Sequence, residues 1–266
     1  MNSTLSLGPF AFATDRLLAV ALLLAFLFLV DRILVAEKGR ATAATGMAVL
    51  VGVVAARVAY VAIHWDAYAV DPWTVLAFWQ GGFIAWVGLF AAAAILAWRM
   101  KPVRAMRKAL GVLAAVSAIW FAGSTLLQPE ARPLPDLPAL VRMDGTKLMP
   151  ENLAGKPFAI NVWATWCPPC RRELPMLADV AANSDIPILL ANQGESRQAV
   201  ADYLLASGIS PGSVVLDTQM GLMGVSGNGV LPTTIFVNGN GKIVATHVGE
   251  ISRAALSEQL QQLQGD

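Results

Sequence analysis

With only two cysteines and two histidines among its 266 residues, the chain offers a metal few ligands. A zinc site built on Cys167 and Cys170 would need further ligands. His64 lies in an apolar N-terminal stretch, and His247 sits alone in a strand-like run, so no metal and no cofactor is expected. Two cysteines are also too few for a disulfide framework. A pair three residues apart is left with redox chemistry. Charge is equally scarce: 14% of residues are charged, against roughly 25% in typical globular chains. The net charge of +1 comes without a basic patch interleaved with aromatics, so nucleic acid is not an expected partner.

What the chain has in excess is apolar sequence, 56% of residues, most of it before residue 128. Four segments stand out: Leu17–Ala36, Ala44–Ile63, Thr74–Trp98 and Ala109–Leu127. Each is near the roughly 20 residues with which a helix crosses a hydrocarbon core. Leu17–Val30 alone has the length of a signal-peptide core. Its charges follow instead of preceding it, no small-residue cleavage motif comes soon after, and three more segments follow. The third segment is longer than needed, which predicts a tilt or an interfacial stretch near Trp79–Gly82.

Loop charge predicts orientation. Lys38 and Arg40 follow the first segment; Arg99, Lys101, Arg104, Arg107 and Lys108 follow the third; Asp66 and Asp71 lie between the second and third. Positive loops stay in the cytoplasm, so the N-terminus is predicted outside and four spans return the chain to the outside after Leu127. Residues 128–136 carry three prolines and predict an extended spacer. Residues 137–266 then have the size of one domain, in a compartment where disulfides persist.

Within the apolar half, Leu7-Gly8-Pro9, Ala56-Arg57-Val58-Ala59-Tyr60-Val61, Asp71-Pro72 and Trp79-Gln80-Gly81-Gly82 resemble the N-terminal part of prolipoprotein diacylglyceryl transferase, over about the first 100 residues. That family places a His-Gly-Gly element after the paired glycines, where this chain has Trp86-Val87-Gly88. The family also continues into an arginine-bearing half, where this chain changes to another pattern. The resemblance thus implies a non-catalytic anchor, or a module that binds lipid or a partner. Arg57 falls inside the second segment. A charge there either snorkels to the headgroups or marks a function, and snorkelling is the expectation. His64 is expected at the interface.

After residue 136 the pattern alternates. Strands are predicted over Phe158–Trp163, Ile186–Asn192, Ser213–Asp217, Thr233–Asn238 and Lys242–Val248, the last two flanking a Gly-Asn-Gly hairpin signal. Helices are predicted from Cys167 to about Val180, over Arg197–Ala206, and over Ile251–Leu263, where Leu256, Leu260 and Leu263 share a face. This order is the thioredoxin arrangement, so the expected architecture is a multi-span helical membrane domain followed by an α/β thioredoxin-like domain.

The chemistry lies in Trp163-Ala164-Thr165-Trp166-Cys167-Pro168-Pro169-Cys170. At a helix start, the first sulfur sits over unpaired amides and the positive end of the helix dipole, which favours thiolate. Cys167 is then the attacking group, and Cys170, a turn deeper, resolves the mixed disulfide. Pro168 and Pro169 stiffen the ring, and Trp166 flanks it. In the thioredoxin fold a cis-proline faces the cysteine pair, and Gly229-Val230-Leu231-Pro232-Thr233 supplies one, with Leu231 preceding it.

The run from Asn161 through Cys167-Pro168-Pro169-Cys170-Arg171-Arg172-Glu173-Leu174-Pro175 resembles the TlpA/ResA/DsbE-type group of membrane-anchored thioredoxin-like proteins, and the likeness extends from roughly Leu137 onward. Cytoplasmic thioredoxin carries a buried aspartate where this chain has Asn161. The group instead carries an acid three residues after the second cysteine, here Glu173, which implies a proton acceptor for Cys170; an acid near the helix start also stabilises the helix dipole, and the two roles are compatible. The resemblance implies a bacterial inner-membrane enzyme whose periplasmic domain reduces extracytoplasmic protein disulfides, including those of apocytochromes c in cytochrome c biogenesis. With no cysteine in the apolar half, a separate transmembrane thiol reductase must recharge the pair. Two alternatives stand beside it: a disulfide oxidase or isomerase, and a lipid- or protein-binding membrane module with a regulatory redox domain.

Overall fold

The computed structural model describes residues 4–7, 10–36, 42–100, 103–126, 130–136, 140–148, 153, 155–226 and 229–265. Lys38, Arg40, Lys101, Gly8, Pro9, Leu127 and Leu137, which entered the expectations above, lie outside them. The chain forms two compact units, Thr14–Gln128 and Met1–Ala13 with Pro129–Asp266. Strands β1 (Thr4–Leu7) and β2 (Phe10–Ala13) pair as an antiparallel hairpin, Thr4 opposite Ala13.

The helical unit contains α1 (Thr14–Ala36), α2 (Thr42–Ile63), the short α3 (Trp65–Ala69), α4 (Ala85–Arg99) and α5 (Val103–Leu126). Among the described residues two helical stretches are long and apolar enough to cross a membrane, Ala44–Ile63 and Val103–Leu126. Helices α2 and α4 approach closely through small residues: a Cβ added at Gly52 would lie 2.9 Å from the Gly88 carbonyl, and one at Gly88 would lie 3.0 Å from the Ala56 Cβ. Small residues at such a contact are the usual means by which apolar helices associate.

The segment Thr74–Trp98 is not one helix. Pro72–Leu76 and Phe78–Gln80 are 3₁₀ turns, and Gly81 and Gly82 take φ of 84° and 81°, a conformation that favours glycine. An α-helix resumes only at Ala85, leaving 15 residues. The break falls at the Trp79–Gly82 stretch singled out in the sequence, whereas the expectation for Arg57 fails. Its side chain does not snorkel; Arg57 is buried, and its guanidinium donates to the carbonyls of Thr74 (2.9 Å), Val75 (3.1 Å), Ala77 (3.5 Å), Gly81 (2.5 Å) and Gly82 (3.2 Å). The broken segment turns its carbonyls toward α2, those of Thr74 and Ala77 already taking one backbone N–H each, and the planar five-donor group of arginine matches them. His64 stacks on Tyr60 with ring centroids 4.2 Å apart.

The second unit is built on an eight-stranded sheet of order β3-β10-β9-β6-β7-β8-β4-β5. Its strands are β3 (Arg132–Pro133), β4 (Leu140–Arg142), β5 (Lys147–Leu148), β6 (Phe158–Trp163), β7 (Ile188–Gln193), β8 (Val214–Asp217), β9 (Thr233–Val237) and β10 (Lys242–Val248). Strands β6, β7 and β8 are parallel, and β9 joins β6 antiparallel. The helices are α6 (Pro168–Asn183), α7 (Arg197–Ser207), α8 (Gly221–Ser226) and α9 (Arg253–Gly265).

Alternation along β6 explains the two cores. Ala159 and Trp163 pack with Leu174 and Leu177 of α6, Leu204 of α7, and Leu256, Leu260 and Leu263 of α9. Phe158, Ile160 and Val162 point the other way, to Leu222 and Val225 of α8. Asn161 belongs to the α6 side by the same period of two, which brings its amide under the active-site helix. The proline-rich stretch is not a free spacer along its length. Arg132–Pro133 pairs with β10, Leu134 N–H donates to the Gly241 carbonyl at 2.9 Å, and Arg132 donates to the Val225 carbonyl at 2.8 Å.

Candidate active site

Strand β6 ends at Trp163, and the chain turns through Ala164–Trp166 into α6. Cys167 is the N-cap, its backbone extended at φ −89°, ψ 108°, and its Sγ accepts from the Cys170 N–H at 3.3 Å. Pro168 and Pro169 occupy the first helical turn, where no N–H is needed. The helix start therefore directs one amide, the Cys170 N–H, and the positive end of its dipole at the Cys167 sulfur, while the Arg171 N–H goes to the Cys167 carbonyl at 3.1 Å. Cys167 and Cys170 are joined in a disulfide, with Cα atoms 5.3 Å apart. Cys170 is fully buried. The Leu231–Pro232 peptide is cis and leads directly into β9. Leu231 packs against the cluster that contains both cysteines. Trp166 is 69% exposed and stands as an apolar rim beside the pair.

Glu173 lies one helical turn after Cys170 and is 3% exposed. Its Oε1 accepts from the Asn161 side-chain amide at 2.9 Å, and its Oε2 from the Ile251 N–H at 2.8 Å. Asn161 is itself held by the Thr234 hydroxyl oxygen at 3.0 Å. Burial pushes the Glu173 carboxyl up to about 8, opposed by the two donated hydrogen bonds and by the Arg172 charge; the Glu250 charge raises it further. A carboxyl that changes protonation near neutrality, a turn from the resolving cysteine, is suited to proton transfer.

Sequence reasoning missed Glu195. Its carboxylate accepts from the Thr165 N–H (2.7 Å), the Thr165 hydroxyl and the Asn192 side-chain amide (2.7 Å). These bonds fasten the turn before Cys167 to the end of β7. The signal was the run Asn192-Gln193-Gly194-Glu195, polar residues closing a buried strand whose parallel neighbour, at Trp163, leads into the cysteines. Gly249 is a second unpredicted support, its N–H donating to the Pro232 carbonyl at 2.9 Å.

Residues 129–263 match the Redoxin family model. Thiol-disulfide oxidoreductase ResA of Bacillus subtilis is 31% identical over 130 residues, which cover 47% of this chain and 72% of that protein. The sporulation thiol-disulfide oxidoreductase A of the same organism is 27% identical over 145 residues, covering 52% and 87%. The crystal structure of StoA from Bacillus subtilis matches with TM-score 0.40 at 24% identity, over 47% of this chain and 98% of that one. With its cysteine pair capping α6 and a family match over half its length, the chain belongs to the Redoxin family and is a thiol-disulfide oxidoreductase of the ResA type.

Proposed function

We propose that the chain is a membrane-tethered reductase of protein disulfides outside the cytoplasm, with Cys167 as nucleophile, Cys170 as resolving thiol and Glu173 as proton acceptor. The observation that carries the proposal is the Cys167–Cys170 pair at the α6 start with the Glu173 carboxyl buried one turn away. In the reduced enzyme the Cys167 thiolate attacks a client disulfide, forming a mixed disulfide and releasing one client sulfur as thiolate. Cys170 gives its proton to the Glu173 carboxylate and attacks the Cys167 sulfur. The Cys167–Cys170 bond forms, and the second client sulfur leaves with its electron pair. The client gains two electrons and the pair loses two. When another dithiol reduces the pair, the protonated Glu173 returns its proton to the departing Cys170 sulfur. Trp166, Leu231 and the Pro232 turn form the surface that meets the client.

Membrane tethering is supported by the two apolar stretches of α2 and α5, by the outward Leu50, Val53, Val54 and Val58 of α2, and by the exposed Trp65, Trp73, Phe78, Trp79 and Trp86. Such aromatics are typical of a membrane–water interface. In this proposal α1, α2, the 74–98 segment and α5 are four crossings in the cytoplasmic membrane of a bacterium, with Arg99, Arg104, Arg107 and Lys108 inside and residues 129–266 in the periplasm. The likeness to the N-terminal part of prolipoprotein diacylglyceryl transferase then reflects an anchor in contact with lipid. A separate transmembrane thiol reductase supplies electrons.

Three measurements test it. A reporter fused after Asp266 should be active only if exported; cytosolic activity contradicts the topology. The reduction potential should lie near the thioredoxin value of about −270 mV, whereas a value near the DsbA figure of about −120 mV would make the enzyme an oxidase. Replacing residues 14–128 with a single anchor should preserve the redox phenotype if the helical unit is an anchor alone.

A further inference from the structure

The turn Gly249–Ile251, between β10 and α9, touches three parts of the site at once. Its first residue donates to the Pro232 carbonyl at 2.9 Å. Its last donates to Glu173 Oε2 at 2.8 Å. Its middle residue, Glu250, has a side chain only 10% exposed and takes both the Nε (3.0 Å) and Nη2 (2.7 Å) of Arg172, two residues after Cys170. Gly249 sits at φ 91°, a conformation that lets the chain reverse over the helix.

Resting on the assignment of Glu173 above, we propose that Glu250 and Arg172 form a positioning pair that clamps this turn across the Glu173 carboxyl and governs the proton exchange on which release of a client from Cys167 depends. An exposed ion pair would contribute little. Here the Arg172 side chain is 57% exposed, and the pair matters through its other partner: Glu250 is largely withdrawn from water and its backbone neighbour holds the Glu173 carboxyl. The groups facing Glu173 are Cys170 and Arg172 from α6, Asn161 from β6 with Thr234 of β9 behind it, and Ile251 N–H and Glu250 from the turn. His247 of β10 lies behind the turn, its Nε2 3.3 Å from the Glu250 carbonyl. The two charges act on Glu173 in opposite senses, Glu250 favouring its protonated form and Arg172 its carboxylate. Neutralising one or the other should therefore move the proton exchange in opposite directions, which a purely structural clamp would not do.

The experiment uses the reduced full chain in detergent micelles and 5,5′-dithiobis(2-nitrobenzoate) as the probe disulfide. A first thionitrobenzoate leaves as Cys167 attacks. The second leaves as Cys170 resolves the adduct, and this phase is followed from pH 5 to 10. In the unaltered protein its rate should rise through the ionisation of Glu173, and Glu173→Gln should remove that inflection. Glu250→Gln should move the inflection to lower pH and Arg172→Gln to higher pH, each by about half a pH unit or more, a threefold or larger change in proton affinity. Arg172→Lys should restore most of the native profile. An unchanged profile in Glu173→Gln would refute the assignment of Glu173 itself. Loss of the inflection in Glu173→Gln, together with unmoved or same-direction inflections in the two pair variants, would refute the clamp and leave Glu173 standing.

Discussion

Arg57 in the helical unit and Glu173 in the α/β unit are both almost fully withdrawn from solvent, at 8% and 3% exposure, yet their surroundings treat the buried group in opposite ways. The Arg57 guanidinium has all its donors directed at backbone carbonyls of residues 74–82 and lies over the Tyr68 and Phe83 rings. Its charge is permanent, and its surroundings are built to keep it. Glu173 receives only two hydrogen bonds, and burial outweighs them, so its proton is bound up to about pH 8. A buried charge saturated with partners is architecture. A buried acid left poised between its two forms beside a cysteine pair is what the proposed proton transfer requires.

Substitution should separate the two cases. The largest effect belongs to the cysteines: Cys167→Ala should abolish exchange, while Cys170→Ala should leave Cys167 in stalled mixed disulfides recoverable on non-reducing gels. Recovery of only nonspecific adducts would argue against a dedicated client. Next comes Arg57→Met, which takes a donor from five carbonyls, of which Thr74 and Ala77 keep the backbone N–H of Ala77 and Gln80. At roughly 1–3 kcal/mol per unsatisfied buried group, the helical unit should lose several kcal/mol in thermal unfolding in detergent, with thiol exchange by the other unit unchanged. Gly82→Ala should act on the same spot, because its Cβ would lie 2.6 Å from the Tyr60 ring and 2.7 Å from Arg57 Nη1.

Glu173→Gln should slow resolution by about 10²-fold or more without comparable loss of fold. It should also remove a pH dependence of stability. Burial raises the folded pKa from 4.5 to about 8, so the folded domain keeps a proton that the unfolded chain gives up. Native stability is greatest below 4.5 and falls as pH climbs to about 8, where this contribution is spent. Urea unfolding at pH 5 and pH 9 should show the fall in the native protein and a smaller one in the variant. The mildest change is Glu195→Ala, which frees Thr165 and Asn192. A loss of about 1–3 kcal/mol, read from the urea midpoint, is expected.

The α/β unit was far more legible in the sequence than the helical one. Strand β6 begins and ends where its apolar run does, and Lys242–Val248 and the face of Leu256, Leu260 and Leu263 were read correctly, because period-two and period-3.6 patterns report directly on burial. The cis bond at Pro232 was legible only through the family's pattern. The short strands at Arg132, Leu140 and Lys147 were not, since two- or three-residue edge pairings leave no periodicity. Helix α6 runs on through Pro175, as the reading of Cys167 to about Val180 had it, because Leu174 and Leu177 anchor it to the core. In the helical unit most helix positions are apolar whether buried or exposed, so hydropathy locates segments and says little of breaks. Thr74–Trp98 reads as one run longer than a span needs, which pointed to an irregular stretch near Trp79–Gly82 but not to the carbonyls that Arg57 meets there. Glu195 and Glu250 escaped notice for a simpler reason: each acts on residues about 30 and 78 positions away in sequence.

The most direct test of the account is the ionisation of Cys167 in the reduced protein. Alkylation by iodoacetamide across pH 5 to 10, with each cysteine resolved by mass spectrometry, should give Cys167 a midpoint well below the ordinary thiol value of about 8.5 and leave buried Cys170 slow to react. Two cysteines reacting alike, with midpoints near that ordinary value, would contradict it.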